Sequence, residues 1–114
     1  MKVSETKTVT IAKDGALSGA FDARALTEIW LVTPAAWTAA VLGFQVCPTV
    51  DGTFAPLYDS AGVLVGETLA ISATQPVPAG VVGAGFVKLW SRDGAGANIG
   101  QVAARTFTVV MRGG

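Results

Sequence analysis

Histidine is absent from this chain of 114 residues, and cysteine occurs only once, as Cys47. Without an imidazole, the usual general base and the usual nitrogen ligand for metals are missing, together with the serine and cysteine mechanisms that depend on them. One cysteine can form neither an internal disulfide nor a thiolate zinc site. We therefore expect no enzymatic activity, no metal site and no cofactor.

Charge is also scarce. Eight basic and eight acidic residues give a net charge of zero, and only 14% of the residues are charged. A neutral chain lacks the long-range field that draws proteins to nucleic acid or to anionic lipid, so neither is an expected partner. Because 51% of the residues are hydrophobic, the chain has more apolar surface than a body of this size hides alone. We expect a homo-oligomer or a component of a larger assembly.

The sequence offers no continuous apolar helix. Two uncharged stretches, residues 29–50 and 68–87, are long enough for a membrane span, but Pro34, Pro48 and Pro76 interrupt them. Proline breaks a lipid-facing helix, so we expect no membrane segment. The N-terminus has no secretion signal, and the unpaired cysteine agrees with synthesis in a reducing cytosol.

Period-two alternation is the strongest pattern present. Residues 7–12 and 106–111 alternate polar with apolar side chains and are rich in β-branched residues, which predicts strands. Shorter apolar segments between glycine, proline and aspartate predict further strands at 25–33, 41–50, 53–58, 63–71 and 86–91. We predict an all-β protein with a single domain over residues 1–114. It is an antiparallel β-sandwich of jelly-roll or related Greek-key order, with a flexible N-terminal arm at residues 1–6.

Turn residues support antiparallel pairing. Asp51-Gly52 predicts a tight hairpin, residues 59–62 predict a four-residue connection, and Asp14 and Asp93 each precede a glycine at a strand end. We interpret Asp51 and Asp59 as turn residues and not as a catalytic pair or calcium ligands. Residues 33–40 differ, because a threonine, a proline and several alanines predict one helical turn.

Four residues of the apolar segments are assigned structural roles. Trp30 and Phe44 are predicted to lie in the core. Cys47 is predicted to be a buried or half-buried, unreactive thiol and not a nucleophile. Pro48 cannot donate to a ladder, so its segment is expected at a sheet edge or a bulge.

The remaining tryptophans are candidates for contacts with a partner. Trp37 lies in an alanine-rich connection and either caps the sandwich or anchors an interface. Phe86 and Trp90 share a strand face opposite Val87 and Leu89, so they either face the second sheet or form an exposed apolar patch. The glycine-rich loop at residues 92–104 is expected to become ordered against a neighbouring molecule.

Several runs together resemble a family of small structural proteins of tailed bacteriophages. They are Pro34–Ala40, Phe44–Val46, Asp51–Phe54, Leu57–Asp59 with Gly62, and Asn98–Gln101 followed by Arg105–Thr108. The shared residues are mainly turn, core and alanine positions, which specify a fold and not an active site. The sequence departs from the family pattern at Cys47-Pro48 and at Arg92-Asp93.

The resemblance implies a virion protein on the capsid surface, a decoration or cement protein whose partner is the major capsid protein. It also implies that the Trp37 connection and the loop with Asn98 and Gln101 lie at opposite or adjacent ends of the sandwich, where contacts are usually made. The candidate partner-binding residues are thus Trp37, Phe86, Trp90, Asn98 and Gln101. A carbohydrate-binding or receptor-binding module of a phage head or tail fibre, using an exposed Trp37, is the alternative.

Overall fold

The computed structural model describes residues 3–113, which form nine β-strands, one short 3₁₀ turn and no α-helix. The strands are β1 (Val3–Ile11), β2 (Leu17–Asp22), β3 (Glu28–Val32), β4 (Val41–Cys47), β5 (Ala55–Pro56), β6 (Gly66–Thr68), β7 (Thr74–Pro76), β8 (Phe86–Arg92) and β9 (Arg105–Gly113). The 3₁₀ turn, Ala79–Val81, lies between β7 and β8.

The strands pair into two antiparallel sheets. The first sheet has the order β1-β9-β3-β7, and the second has the order β2-β8-β4-β5, with β6 also paired to β4. If the two short strands β5 and β6 are counted as one position, the connection from β4 to that position stays within the second sheet, and each of the remaining connections crosses from one sheet to the other. This is the order of an eight-position jelly roll. The predicted fold class, an all-β antiparallel sandwich, is confirmed.

The core lies between the sheets and follows the alternation of the strands. Val87 and Leu89 of β8 point inward, as do Leu42 and Phe44 of β4. They meet inward side chains of the first sheet, among them Leu31, Phe107 and Val109. Each of these is fully buried, and burying one such side chain contributes about 1.5–3 kcal/mol. The core prediction for Phe44 is therefore confirmed.

The strand predictions are right in kind but not in extent. Residues 3–6, predicted to be part of a flexible arm, belong to β1 and pair with β9; residues 1 and 2 lie outside the described part. Leu17–Asp22 was not predicted, because Ser18, Gly19 and Ala20 dilute its apolar alternation. The predicted strands at 53–58 and 63–71 shrink to the two residues of β5 and the three of β6.

One predicted hairpin is confirmed in detail. Tyr58 pairs with Leu64, and the backbone N–H of Asp59 donates to Val63 O. The Asp59 carboxylate accepts from the backbone N–H groups of Ala61 and Val63, each at 2.9 Å. Aspartate thus closes the turn with its own side chain, as the turn interpretation requires.

The hairpin predicted at Asp51-Gly52 is confirmed in its antiparallel pairing, since β4 pairs with β5, but the connection is not a tight turn. β4 ends at Cys47 and β5 begins at Ala55, so seven residues, 48–54, separate them.

Pro48 follows the last residue of an inner strand, and β4 pairs with β8 as well as with β5 and β6. Pro48 therefore ends a central strand and does not mark a sheet edge or a bulge. Cys47 is buried, as predicted.

The helical turn predicted at residues 33–40 is also wrong. The segment is irregular, and the Thr33 side chain, predicted to cap it, bonds elsewhere. Its hydroxyl donates to Ala70 O at 2.6 Å, lies 3.0 Å from Ala73 O, and accepts from Ala73 N–H at 2.8 Å. These non-local partners hold the segment as an extended crossing between the sheets.

Candidate functional site

Trp37 packs against the core from the connection between β3 and β4. Its ring meets Phe107 edge to face, with centroids 5.8 Å apart and the planes at 84°. Its indole N–H donates to Ala40 O at 3.1 Å. Of the two roles left open by the sequence, the geometry is that of a cap on the sandwich, since the ring and its donor are both engaged internally.

Gln101 is fully buried and joins several segments at the same end of the molecule. Its amide oxygen accepts from Thr38 N–H at 2.8 Å and from Arg105 Nε at 3.0 Å. Its amide nitrogen donates to Ser91 Oγ at 2.8 Å and to Thr38 O at 3.2 Å. The Trp37 connection and the loop around Gln101 therefore lie together at one end of the sandwich, whereas the resemblance implied opposite or adjacent ends. Because Gln101 is buried, it is not available to a partner.

Trp90 lies on the outer face of the second sheet but is buried. Its exposed fraction is 2%, because the chain between β8 and β9 folds back over it. Asn98 of that loop is exposed, yet its side-chain oxygen accepts from the Trp90 indole N–H at 2.7 Å. A side chain on Gly96 would also contact the ring of Trp90. The sequence predicted that Trp90 either faces the opposite sheet of the sandwich or forms an exposed patch. Both alternatives are wrong, because Trp90 lies on the outer face of its own sheet and is buried there.

The loop at residues 92–104 is ordered by its own chain. Asp93 O accepts from Gly96 N–H, and the Asp93 carboxylate accepts from Ala95 and Ala97 N–H at 2.9 Å each. The bonds to the carboxylate, that from Ala97 N–H above all, lower the pKa of Asp93 below its usual value. With Asn98 and Gln101 engaged as well, no neighbouring molecule is needed to fix the loop.

Phe86 remains half-exposed at the other end of β8. The Arg24 guanidinium lies 4.4 Å from its ring centroid, and Arg24 also pairs with Asp22 at 2.9 Å. Next to it on the same face, Lys88 lies 4.5 Å from the ring centroid of Phe54. Cations cover both rings, so this part of the outer face is cationic and aromatic, not purely apolar.

An open apolar surface lies on the other sheet, around Trp30. Ile29 and Leu31 of β3 point into the core, so Trp30 and Val32 point outward. Trp30 lies beside Pro76 of β7 and Val110 of β9. We call the row Pro76, Trp30, Val110, with Val32, the Trp30 face. Trp30 is half-buried in it, and Val32 is 40% exposed.

A groove of about 460 Å³ runs beside the indole. Trp30, Pro76, Val77, Ala79 and Val82 supply its apolar lining. At one end, Glu28 accepts the Trp30 indole N–H and lies 3.9 Å from the Arg112 guanidinium. An exposed ion pair of this kind contributes little to stability, but it gives an apolar groove one polar end.

Trp30 was assigned to the core, and this prediction is wrong. The signal that could have placed it correctly is the alternation within β3 itself. Glu28, Trp30 and Val32 occupy one parity, and a glutamate on that parity marks the solvent side. The prediction followed the general preference of tryptophan for the core, although Trp30 shares its strand face with the charged Glu28.

Further exposed apolar side chains lie on turns. Val50, Tyr58, Val63, Ile71 and Val102 are 53–66% exposed. Among residues 3–113, no group of three or more His, Cys, Asp or Glu side chains could hold a metal ion. No helix in the same range has the length and apolarity to cross a membrane.

Burial raises the pKa of the Glu67 carboxyl above its usual value. It lies on β6 opposite Leu42, and its Oε1 has no hydrogen-bond partner among the described residues. Gln75 partly offsets the effect through a side-chain hydrogen bond.

Replacing Glu67 should stabilise the protein at neutral pH. Because the folded state binds the Glu67 proton more tightly than the unfolded state does, stability falls as pH rises from the ordinary glutamate pKa to the raised one, and stays lower above it. Glu67→Gln is therefore expected to unfold at higher urea than the parent at a pH of about 7.5, and to lose that advantage at about 3.5. Asp51→Asn, at an exposed turn, is the control. An equal Glu67→Gln effect at both pH values would contradict this prediction.

No protein-family model matches the chain, and neither a curated protein nor a solved structure matches it significantly.

Proposed function

We propose that this protein is a structural component of a bacteriophage virion that binds the capsid lattice and stabilises it. The observation that carries the proposal is the Trp30 face, a half-exposed tryptophan in an apolar row on a rigid sheet. Tryptophan is enriched among the residues that dominate protein–protein binding, and a sheet presents it at little entropic cost. The resemblance to small phage structural proteins supplies the class of partner, the major capsid protein.

The charge and the turns support the same function. A net charge of zero removes long-range attraction and leaves contact area as the source of affinity. Exposed Tyr58 and Val63, on the confirmed hairpin, add apolar area away from the Trp30 face. A protein that binds the assembled lattice and not its free subunits stabilises the shell by mass action.

The test uses mature capsids that lack the protein. Parent protein is mixed with them and the particles are sedimented. We expect it to sediment with the capsids, and Trp30→Ala to weaken binding by about 30-fold, as for a central tryptophan contact. Tyr58→Ala, an equally drastic aromatic truncation on the hairpin, should weaken binding less. Parent protein that stays in the supernatant would refute the function, and equal binding by Trp30→Ala would refute the role of the Trp30 face.

Carbohydrate binding is a second candidate, favoured by the groove beside the indole. Sugar rings stack on exposed tryptophan, and Glu28 and Arg112 offer polar groups at one end. The earlier candidate, Trp37, has its ring packed on Phe107, so Trp30 takes its place in this alternative. A glycan array that gives a signal with the parent protein and none with Trp30→Ala would favour this function over capsid binding.

A further inference from the structure

Strand β1 forms one edge of the first sheet and pairs only with β9 in the part of the chain that the structure describes. Its residues 4–8 are all exposed. An exposed edge strand of this length carries backbone donors and acceptors that can pair with another strand.

The hydrogen bonds of the neighbouring strands show which backbone groups of β1 are free. Val77 N–H donates to Ile29 O, and Thr33 N–H donates to Ala73 O, so odd residues of β3 bond to β7. Backbone groups alternate sides along a strand, so even residues of β3 bond to β9. The even residues of β3 lie opposite even residues of β9, so the odd residues of β9 direct their backbone groups to β1. Those odd residues lie opposite the odd residues of β1, which therefore bond to β9. The even residues of β1 then direct N–H and C=O to the open edge.

These even residues are Ser4, Thr6 and Thr8, and the odd residues between them are Glu5 and Lys7. Residues at equal distances from Thr6 are therefore of the same chemical type: hydroxyl residues at 4 and 8, and charged residues, of opposite sign, at 5 and 7. In an antiparallel pair of two such segments centred on Thr6, Thr6 faces Thr6 and Ser4 faces Thr8. Each Glu5 then faces a Lys7 of the other copy.

We propose that two copies of this chain pair through β1, antiparallel and centred on Thr6, to form a symmetric dimer with a continuous sheet. The even residues form the hydrogen-bonded pairs and exchange two backbone bonds each. Glu5 and Lys7 then occupy the non-hydrogen-bonded pairs, where opposing Cα atoms are only about 4.5 Å apart and side chains interact most closely.

The charges also select this register. A shift to the next hydrogen-bonded register in one direction places Glu5 opposite Glu5, and a shift in the other direction places Lys7 opposite Lys7. Like charges directly opposite are destabilising. Lys7 Nζ already donates to Ala20 O at 2.8 Å, which positions its ammonium group and leaves two further N–H donors for a carboxylate.

The outer face agrees with self-association. Ser4, Thr6 and Thr8 are small hydroxyl residues on this face, and threonine pairs across strands are favourable. The two-fold arrangement is isologous, so it closes and does not propagate into a fibre.

The experiment is sedimentation equilibrium over a range of protein concentrations. The parent chain should show the mass of a dimer. Glu5→Lys and Lys7→Glu should each raise the dissociation constant by about tenfold or more, because each places like charges in both pairs. An equimolar mixture of the two variants should form a heterodimer, since every pair then joins opposite charges. Lys13→Glu and Asp51→Lys, charge reversals away from the edge, should remain dimeric.

A second pair of variants tests the backbone geometry. Thr6→Pro removes an N–H that points to the open edge, so the chain should become monomeric and keep the unfolding midpoint that the parent has when diluted to a monomer. Glu5→Pro removes an N–H bonded to β9 and should lower the midpoint. The proposal fails if the parent is monomeric at all concentrations, if it has another oligomeric mass, or if either charge reversal leaves the dissociation constant of the dimer unchanged. Failure of the mixture to restore the dimer would also overturn it. None of these outcomes depends on capsids, so the dimer and the proposed function can fail separately.

Discussion

Gln101→Leu is expected to lower the free energy of unfolding by about 2–4 kcal/mol, one of the largest losses from a single polar substitution in this chain. Gln101 is fully buried and uses both ends of its amide. Removing the amide leaves Thr38 N–H and Ser91 Oγ without this partner in a buried setting. Leucine has a similar volume, so the loss reflects unpaired polar groups and not a cavity.

Urea unfolding followed by fluorescence measures this effect, because Trp37 lies in the segment that Gln101 holds. Gln45→Leu is a matched control, since Gln45 lies half-exposed on the outer face of β4 and makes none of the side-chain bonds of Gln101. Its effect should stay within about 0.5 kcal/mol. If Gln101→Leu changed stability as little as the control, the buried amide would not be what joins this end of the sandwich.

The sequence was sufficient for the fold class, an antiparallel β-sandwich, because local alternation predicts strands with one buried face. In β8, Val87 and Leu89 alternate with Phe86 and Lys88, and both inward residues are fully buried. The Asp59 turn was predictable for a similar reason, since its bonds all fall within five residues. Local patterns of this kind need no knowledge of the rest of the chain.

Contacts between distant segments could not be read in the same way. Trp90 has the parity of an outward residue, and its burial depends on Asn98 and the loop that folds over it. Residues 33–40 have helix-forming composition, but Thr33 bonds to Ala70 and Ala73 instead. Tertiary hydrogen bonds override a weak local preference in a segment too short to form a helix alone.

The candidate surface was missed for a related reason. A list of aromatic residues identifies possible anchors, but exposure depends on which face the strand presents and on what covers that face. Trp30 and Trp90 both point outward from their sheets, yet only Trp90 is covered by a loop. Alternation within β3 could have placed Trp30 outward, whereas nothing local could have shown that Trp90 is covered.

One glycine in the 3₁₀ turn and two between that turn and β8 provide a graded series of expected effects. Gly85 has φ +118°, and a Cβ there would lie 2.7 Å from the backbone oxygen of Cys47. Gly83 has φ +79° with open space around it, and Gly80 is open with an ordinary φ. Substitution at the three sites therefore separates backbone strain from a steric clash.

Gly85→Ala is expected to cost about 2–4 kcal/mol, because the backbone conformation and a backbone atom both oppose a side chain. Gly83→Ala should cost about 1 kcal/mol from conformation alone, and Gly80→Ala should be close to neutral. The difference in cost should be visible as three ordered urea midpoints. Equal midpoints for Gly83→Ala and Gly85→Ala would contradict the close approach of Gly85 to Cys47.

The close approach of Gly85 to Cys47 brings the start of β8 against the end of β4, and Gly85 O also accepts Ala23 N–H at 2.8 Å. The contact therefore joins three segments at one end of the second sheet, so its disruption should loosen the sheet and not just the turn.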